Sequence, residues 1–359
     1  MAANGSPAAG QPLGIQGLFT DNKGSAALER AREAGVTLAI VLGRWDEPEP
    51  GRYNWDNNVD HISGVARHLR YVKHHGFKIA FTIANVHMEE LQMPEYLRGR
   101  PFDDPYVLER WELFLKGFLD RFGSYIDYLS IGNEVDWYFS EHKAQFPGYV
   151  KFVARASKVV RQAAPHVRLG TVLRWNSLEP WWSQLEPQLD YLGVTYYAPV
   201  SMFGRGRETP LDSNSPAYFA AALAHVLETA GRKKVLITEL GCASAPEVNS
   251  SPEIQAEFIR RFFRWLDNHR SRIIGVIWEG YQDWNYERTK TALEPLLSPE
   301  LLNNESFMRF LTSLGLRYED GSPKPGWTAW VEEAREFRAR SSRGSGPGSR
   351  SLNVGHGRE

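Results

Sequence analysis

The chain lacks the features that mark disulfide-rich, metal-clustered or membrane-spanning proteins. Its 359 residues include one cysteine, Cys242, so no intrachain disulfide and no cysteine-rich metal framework can form. No run of ~18 apolar residues, the length that a spanning helix needs, occurs without a charge. We expect a soluble protein without metal, cofactor or membrane partner. Its compartment stays open between the cytoplasm and secretion, since a signal peptide could have been removed.

The charges are balanced, which argues against nucleic acid as a partner. Lys and Arg total 42 against 43 Asp and Glu, for a net charge of -1, and a nucleic-acid-binding domain normally carries a basic surface. Aromatic residues make up 13% of the chain and include 12 Trp. They suffice for a core and for stacking surfaces against a ligand. A neutral, polar substrate is favoured, and the oligomeric state leaves no trace in the sequence.

Short β-branched apolar runs alternate with longer stretches of helical periodicity, which is the pattern of repeated βα units. Eight strands are predicted, at residues 14–19, 37–42, 78–84, 128–134, 167–173, 191–197, 235–239 and 273–278. Helices are predicted between them at 25–33, 59–74, 105–122, 149–164, 180–185, 216–229 and 252–269.

Eight such units predict a single-domain (β/α)₈ TIM barrel, which we place at residues 12–340. The barrel exceeds the usual ~250 residues, and the clearest excess lies at 279–326, where we expect short helices above the barrel mouth. By composition, residues 1–11 and 341–359 are predicted to be disordered, since they are rich in Gly, Ser and other polar residues.

Two glutamates end predicted strands and carry the functional argument. Glu134 closes the fourth strand, in YLSIGNEVDWYF, and Glu239 closes the seventh, in KVLITELG. The carboxyl ends of barrel strands meet at one mouth, so both carboxyls should face a common cleft. A lone strand-end Glu is more often the partner of a nearby Arg or Lys, but two in one cleft suit glycoside hydrolysis, in which one protonates the departing oxygen and the other attacks or activates water. Mutual repulsion would keep a proton on one of them.

The surroundings of both glutamates resemble clan A glycoside hydrolases, the retaining (β/α)₈ group. Asn133-Glu134 after Leu-Ser-Ile-Gly resembles the clan's strand-four signature, and Leu-Ile-Thr-Glu-Leu-Gly around Glu239 resembles its strand-seven segment. The resemblance implies a retaining β-glycosidase in which Glu239 is the nucleophile, Glu134 is the acid and then the base, and Asn133 holds the sugar 2-hydroxyl. Retention requires carboxyls ~5–5.5 Å apart, against ~6.5–9.5 Å for inversion.

Three further positions match the clan's pattern. Arg44, in LGRWDEPEPGRYNWD, resembles its strand-two arginine and would orient the nucleophile. Tyr197 resembles the strand-six tyrosine that donates to the nucleophile, which leaves Tyr196 for packing, although Thr195 stands where many members carry His. Trp278 resembles the strand-eight aromatic platform beneath the sugar. Because adjacent strand residues face opposite ways, Glu279 is then expected to point away from catalysis.

Weaker candidates follow other strands. Asn85 and His87 come two residues apart after the third strand and are expected to face the same way; each could bind a sugar hydroxyl or be structural. Trp137 and Trp175 lie in loops after strands four and five, where subsite stacking and packing are equally plausible. His87 has no companion at metal-ligand spacing.

A non-catalytic carbohydrate-binding barrel is the main alternative, since it would keep the aromatics but need neither glutamate. A metal-dependent hydrolase would need ligands at several strand ends, of which His87 is the single candidate. The sugar, its linkage, exo or endo action and the family within the clan stay undecided.

Overall fold

The computed structural model of the chain describes residues 11–19, 24–55, 65–198, 216–294, 297 and 299–343. These residues form nine strands, eight of which build a barrel. The strands are β1 (Leu13–Ile15), β2 (Leu38–Gly43), β3 (Lys78–His87), β4 (Glu90–Leu91), β5 (Tyr128–Asn133), β6 (Arg168–Arg174), β7 (Tyr191–Ala198), β8 (Lys234–Cys242) and β9 (Ile273–Trp278).

The sheet is closed and parallel. Its order is β2, β1, β9, β8, β7, β6, β5, β3, and β2 also pairs with β3, which joins the two ends. The two-residue β4 lies outside this ring, antiparallel to the end of β3. The predicted (β/α)₈ barrel is therefore confirmed.

Twelve helices occur in the described residues, and most of them cover the outside of the barrel. They are α1 (Gly24–Glu33), α2 (Val65–His74), α3 (Pro105–Phe122), α4 (Val135–Glu141), α5 (Phe146–Ala163), α6 (Trp181–Leu185), α7 (Pro216–Thr229), α8 (Pro252–Asn268), α9 (Tyr286–Leu293), α10 (Pro299–Leu302), α11 (Glu305–Thr312) and α12 (Pro325–Arg343).

The local sequence accounts for several helix ends. Asp104 precedes Pro105 and caps α3 by accepting hydrogen bonds from the next free backbone N–H groups, and Ser251 caps α8 in the same way. Helices α3 and α7 have the predicted bounds, whereas α5 begins one turn earlier than predicted, at Phe146. Residues 59–64 of the predicted second helix, and the tails 1–10 and 344–359, lie outside the described residues.

The long segment after β9 holds the short helices α9, α10 and α11, as its composition indicated. Phe310 of α11 packs edge-on against Tyr197 of β7, with ring centroids 5.3 Å apart. This segment therefore lies against the carboxyl ends of the barrel strands.

Inward-facing side chains fill the barrel. Leu38, Ala80, Tyr128, Tyr191, Leu236 and Ile277 form a buried cluster of their own, and the Tyr128 hydroxyl donates to the Ile274 carbonyl 3.5 Å away. Since β5 and β9 are not neighbours in the sheet, that contact crosses the interior. The alternate strand residues belong instead to a larger core between the barrel and its helices, as the twofold alternation of a strand requires.

The alternation breaks near the carboxyl ends of two strands, β8 and β3. In β8, Ile237 pairs with Val194 but Glu239 pairs with the next residue, Thr195, so Thr238 is an extra residue in a bulge. In β3 the register shifts between Ile83 and His87. Bulges re-aim the side chains that follow them, and both precede residues of the candidate site.

At the end of β5 a turn in the left-handed region has the same effect. Gly132 has φ +79° and Glu134 has φ +49°, a region that side chains other than glycine rarely adopt. A Cβ at position 132 would collide with Val135 and would lie 2.6 Å from the Tyr149 hydroxyl. Glycine is thus the residue that this turn requires.

A buried carboxylate braces the loop after β2. Glu47 accepts hydrogen bonds from the Trp45 indole at 3.0 Å and the Gly51 N–H at 2.7 Å, and it forms an ion pair with Arg110 of α3. The Glu-Pro-x-x-Gly-x-Tyr stretch is therefore a structural support, and it holds the segment that carries Arg44.

In the part of the chain that the structure describes, no helix is both long and apolar enough to cross a lipid bilayer.

We expect Gly132→Ala to destabilise the fold by at least about 3 kcal/mol, because it combines backbone strain with overpacking against α4 and α5. Gly99→Ala is the matched control: Gly99 also has positive φ, +83°, but a Cβ there would meet nothing within 4 Å. It should cost about 1 kcal/mol. Urea unfolding of both variants measures the difference, and equal losses would show that the collision at Gly132 is relieved by relaxation.

Candidate active site

The two strand-end glutamates are held by one strand. Thr195 and Tyr197 lie two residues apart in β7 and so face the same side. The Thr195 hydroxyl donates to Glu134 Oε1 at 2.6 Å, and the Tyr197 hydroxyl donates to Glu239 Oε2. Thus both carboxyls lie in a single cleft.

Glu239 has a second donor from β5. Asn133 Nδ2 lies 3.4 Å from Glu239 Oε1 and also 3.4 Å from His87 Nδ1. Asn133, His87, Tyr197 and Glu239 therefore form a hydrogen-bonded chain across the ends of four strands. Tyr196 instead is fully buried and stacks on Phe258 of α8.

The two carboxyls do not hold a proton equally. Burial, followed by the charge of Glu239, raises the pKa of Glu134 to about 8, although the Thr195 hydrogen bond opposes this. Burial also raises the pKa of Glu239, but the hydrogen bonds from Tyr197 and Asn133 lower it. Because Glu239 has two donors and Glu134 has one, these hydrogen bonds favour the proton on Glu134 and the charge on Glu239.

An ion pair supports the helix that Glu134 begins. Asp136, fully buried, accepts hydrogen bonds from the Arg174 backbone N–H at 2.9 Å and from its Nε at 2.8 Å. The Arg174 guanidinium lies 4.5 Å from the centroid of the half-buried Trp137 ring. These contacts join α4 to the end of β6 and fix the position of Glu134.

The other predicted binding residues are more scattered. Arg44 follows β2 directly and its side chain is exposed; Leu38 and Ile40 face the barrel interior, so alternation puts Arg44 on the mouth side. Trp175 is half-buried and packs on Tyr196, with ring centroids 5.5 Å apart.

Asn85 corrects one expectation. It is fully buried, its amide atoms have no hydrogen-bond partner among the described residues, and it lies near the Tyr149 phenol of α5. His87 instead turns to Asn133 in the cleft. The two do not share an environment, because the irregularity of β3 between Ile83 and His87 breaks the alternation.

Trp278 and Glu279 lie on the opposite sides from those expected: Trp278 faces away from the cleft, and its neighbour Glu279 faces toward it. Trp278 is fully buried between Phe258 of α8 and Trp330 of α12, and its indole donates to the Leu314 carbonyl at 3.1 Å. It packs outside the barrel and forms no platform in the cleft. Ile277 before it points inward, so Glu279 after it points inward again.

Sequence reasoning missed Thr195, the pair Asp136 and Arg174, and Glu279. Thr195 departs from the family pattern, but its place two residues before Tyr197 sets it on the same face of the strand. Nothing in the sequence indicates the ion pair between Asp136 and Arg174, because the two residues lie 38 positions apart.

Among the described residues no group of three or more His, Cys, Asp and Glu side chains could hold a metal ion. Cys242 is fully buried, and burial raises the pKa of its thiol to about 12, so it is not a nucleophile. The titratable groups of this cleft are carboxyls, a phenol and one imidazole, which suit proton transfer and attack at carbon.

No protein-family model matches the chain, and no curated protein matches it by sequence. Solved structures do share its fold. An exo-beta-1,4-mannosidase from Opitutaceae bacterium strain TAV5 superposes with TM-score 0.65 at 17% identity, over 95% of this chain and 63% of the mannosidase. The chain thus spans less than two thirds of that protein's length.

Two further structures are similar. GH5_18 from Bifidobacterium longum subsp. longum, solved as a variant with Manb1-4GlcNAc, gives TM-score 0.64 at 15% identity, over 92% of this chain and 79% of that one. The GH53 catalytic domain of Ignisphaera aggregans gives 0.62 at 14%, over 92% and 98%. At such identities the likeness establishes the barrel fold.

We expect Glu134→Gln to gain stability relative to the native chain as pH rises. Between its ordinary pKa of 4.5 and about 8, folded Glu134 keeps a proton that the unfolded chain has lost, so native stability falls with pH across this window. The uncharged amide has no such dependence. The difference in free energy of unfolding should grow by up to about 1.4 kcal/mol per pH unit and level off above pH 8.

Urea unfolding at pH 5, 6, 7 and 8 measures this difference. Glu95→Gln, at an exposed glutamate, is the control and should follow the native chain throughout. Parallel curves for Glu134→Gln and the native chain would contradict the raised pKa.

Proposed function

We propose that the protein is a β-glycoside hydrolase that cleaves with retention of anomeric configuration. The observation that carries the proposal is the pair of carboxyls in the cleft, Glu134 and Glu239, each hydrogen-bonded from β7. Their unequal hydrogen bonding favours the proton on Glu134 and the charge on Glu239. Retaining glycosidases need one carboxyl as an acid and one as a nucleophile on opposite sides of the scissile bond.

In the first step, the Glu239 carboxylate attacks the anomeric carbon while Glu134 gives its proton to the departing glycosidic oxygen. The C–O bond to the leaving group breaks, and an ester between the sugar and Glu239 forms. Tyr197 and Asn133, which donate to the two oxygens of Glu239, hold the nucleophile in place and stabilise the charge it carries before attack.

In the second step, Glu134 is ionised and acts as a base. It removes a proton from a water molecule, whose oxygen attacks the anomeric carbon from the face that the leaving group vacated. The ester bond breaks, Glu239 leaves as a carboxylate, and Glu134 is protonated again. Two inversions give net retention.

The remaining cleft residues have binding roles in this proposal. Asn133, beside the nucleophile, is assigned to the sugar 2-hydroxyl, and His87 supports Asn133. Arg44 at the mouth, and the half-buried Trp137 and Trp175, would contact sugar units beyond the cleaved bond.

The test is hydrolysis of a panel of aryl β-glycosides, with β-mannosides and β-glucosides first. Two of the three similar structures are a β-1,4-mannosidase and a complex with Manb1-4GlcNAc, which supports the mannosides. We expect one sugar to be cleaved with a β-configured first product by NMR, and Glu239→Ala to lose at least about 10⁴-fold in kcat.

Azide separates the two roles. In Glu239→Ala, azide takes the place of the nucleophile and should give the α-glycosyl azide. In Glu134→Ala, an activated aryl glycoside still forms the ester, and azide should release it as the β-glycosyl azide. Binding of sugars without hydrolysis would favour the carbohydrate-binding alternative, and an α-configured first product would exclude retention.

The pH profile provides a further prediction. Because Glu134 must be protonated in the free enzyme, kcat/KM should fall as pH rises through about 8, the pKa of Glu134. Thr195→Val removes the hydrogen bond that lowers this pKa, so the alkaline limb should move to higher pH.

The matched control is Thr171→Val. It also removes a buried hydroxyl, one that donates to the Ile131 carbonyl at 2.7 Å, but it leaves Glu134's donor in place and should not move the limb. If the alkaline limb of the kcat/KM profile does not move in Thr195→Val, that limb belongs to a group other than Glu134.

A further inference from the structure

The eighth barrel strand ends with a carboxyl in the cleft instead of an aromatic ring. Ile277 of β9 belongs to the cluster inside the barrel, and Trp278 to the core outside it. Glu279 follows, and its N–H donates to the Leu240 carbonyl at 2.8 Å. Because Leu240 is the neighbour of Glu239 in β8, Glu279 starts beside the nucleophile's strand.

Glu279 is buried without a full set of partners. Glu279 is 6% exposed, and its Oε2 atom has no hydrogen-bond partner among the described residues. A buried polar atom in this state costs free energy unless something else supplies the bond. A hydroxyl group of a ligand in the cleft would supply that bond.

Glu279 interacts electrostatically with the other carboxyls of the cleft. Burial raises the pKa of Glu279 well above its usual range, and the charges of Glu239 and then Glu134 raise it further. Tyr197, the donor to Glu239, also feels the charge of Glu279. Glu279 therefore lies beside the two glutamates, and when protonated it has one oxygen able to donate a hydrogen bond and one able to accept.

We propose that Glu279 is a sugar-binding residue of the cleaving subsite, where it hydrogen-bonds one hydroxyl of the sugar ring attacked by Glu239. This rests on the proposed function and extends it. The group that β9 presents to the sugar is polar, and Trp278 is left to hold β9 against α8 and α12. The subsite then selects sugars by the position of a hydroxyl more than by the apolar face of the ring.

The experiment pairs substitutions at Glu279 with deoxygenated substrates. From the aryl glycoside that the native chain cleaves best, the four analogues lacking the hydroxyl at C2, C3, C4 or C6 are compared. Glu279→Leu has similar volume and no hydrogen-bonding group, and Glu279→Gln keeps a donor and an acceptor. kcat/KM is measured for every combination.

Removing the hydroxyl that Glu279 binds should lower kcat/KM in the native chain. In Glu279→Leu the same removal should lower kcat/KM by a factor at least about tenfold smaller, because the hydrogen-bond partner of that hydroxyl is already absent. Glu279→Gln should restore part of that difference, which a merely structural role would not do. The other hydroxyls should show the same losses in all three proteins.

Two control variants accompany the set. Glu287→Gln changes an exposed carboxyl in the same segment after β9 and should behave as the native chain. Trp278→Phe loses the bond to Leu314 and should lower the melting temperature while leaving KM within about threefold; a tenfold rise in KM at unchanged melting temperature would indicate a platform instead.

The inference is overturned if, for every hydroxyl, the factor by which its removal lowers kcat/KM differs by no more than about twofold between Glu279→Leu and the native chain, while Glu279→Leu still melts cooperatively. If Glu279→Leu does not fold, the same criterion applies to Glu279→Gln with a threefold threshold. Failure of the proposed function differs from both outcomes, since the native chain would then cleave no glycoside of the panel.

Discussion

The whole site depends on how one strand supports two carboxyls. Thr195 and Tyr197 face the same side of β7, and each donates to a different glutamate. The distance between the two donors is a property of the pleated backbone, so the carboxyls are held in a common cleft by the geometry of a strand. Burial then makes their repulsion strong, and unequal hydrogen bonding decides which of them keeps the proton.

Regular barrel geometry alone would not direct the side chains of the site into the cleft. Thr238 is inserted at a bulge before Glu239, β3 shifts register before His87, and Gly132 takes a left-handed turn before Asn133 and Glu134. Each irregularity lies at the carboxyl end of a strand, where it costs little pairing and turns a side chain into the cleft.

The cleft contains three carboxyls, one more than a double displacement uses. Glu134 and Glu279 are buried and Glu239 is partly buried, and burial raises the pKa of all three, so the folded chain binds protons at these sites more tightly than the unfolded chain does. This lowers stability at the place where chemistry needs it, as is common in active sites. Ion pairs outside the cleft, such as Asp136 with Arg174 and Glu47 with Arg110, hold the surrounding loops in place.

The sequence by itself determined the barrel, its eight strands and the strand ends that carry Glu134, Glu239 and Tyr197, because hydrophobic periodicity and strand alternation are local properties. It could not determine which of Trp278 and Glu279 enters the cleft, nor that Asn85 and His87 diverge. Those outcomes depend on register shifts and bulges, which change the parity of a strand without any mark in its composition. Thr195 as a donor and Arg174 as a support were likewise decided by the tertiary structure, since their partners lie 61 and 38 positions away in the chain.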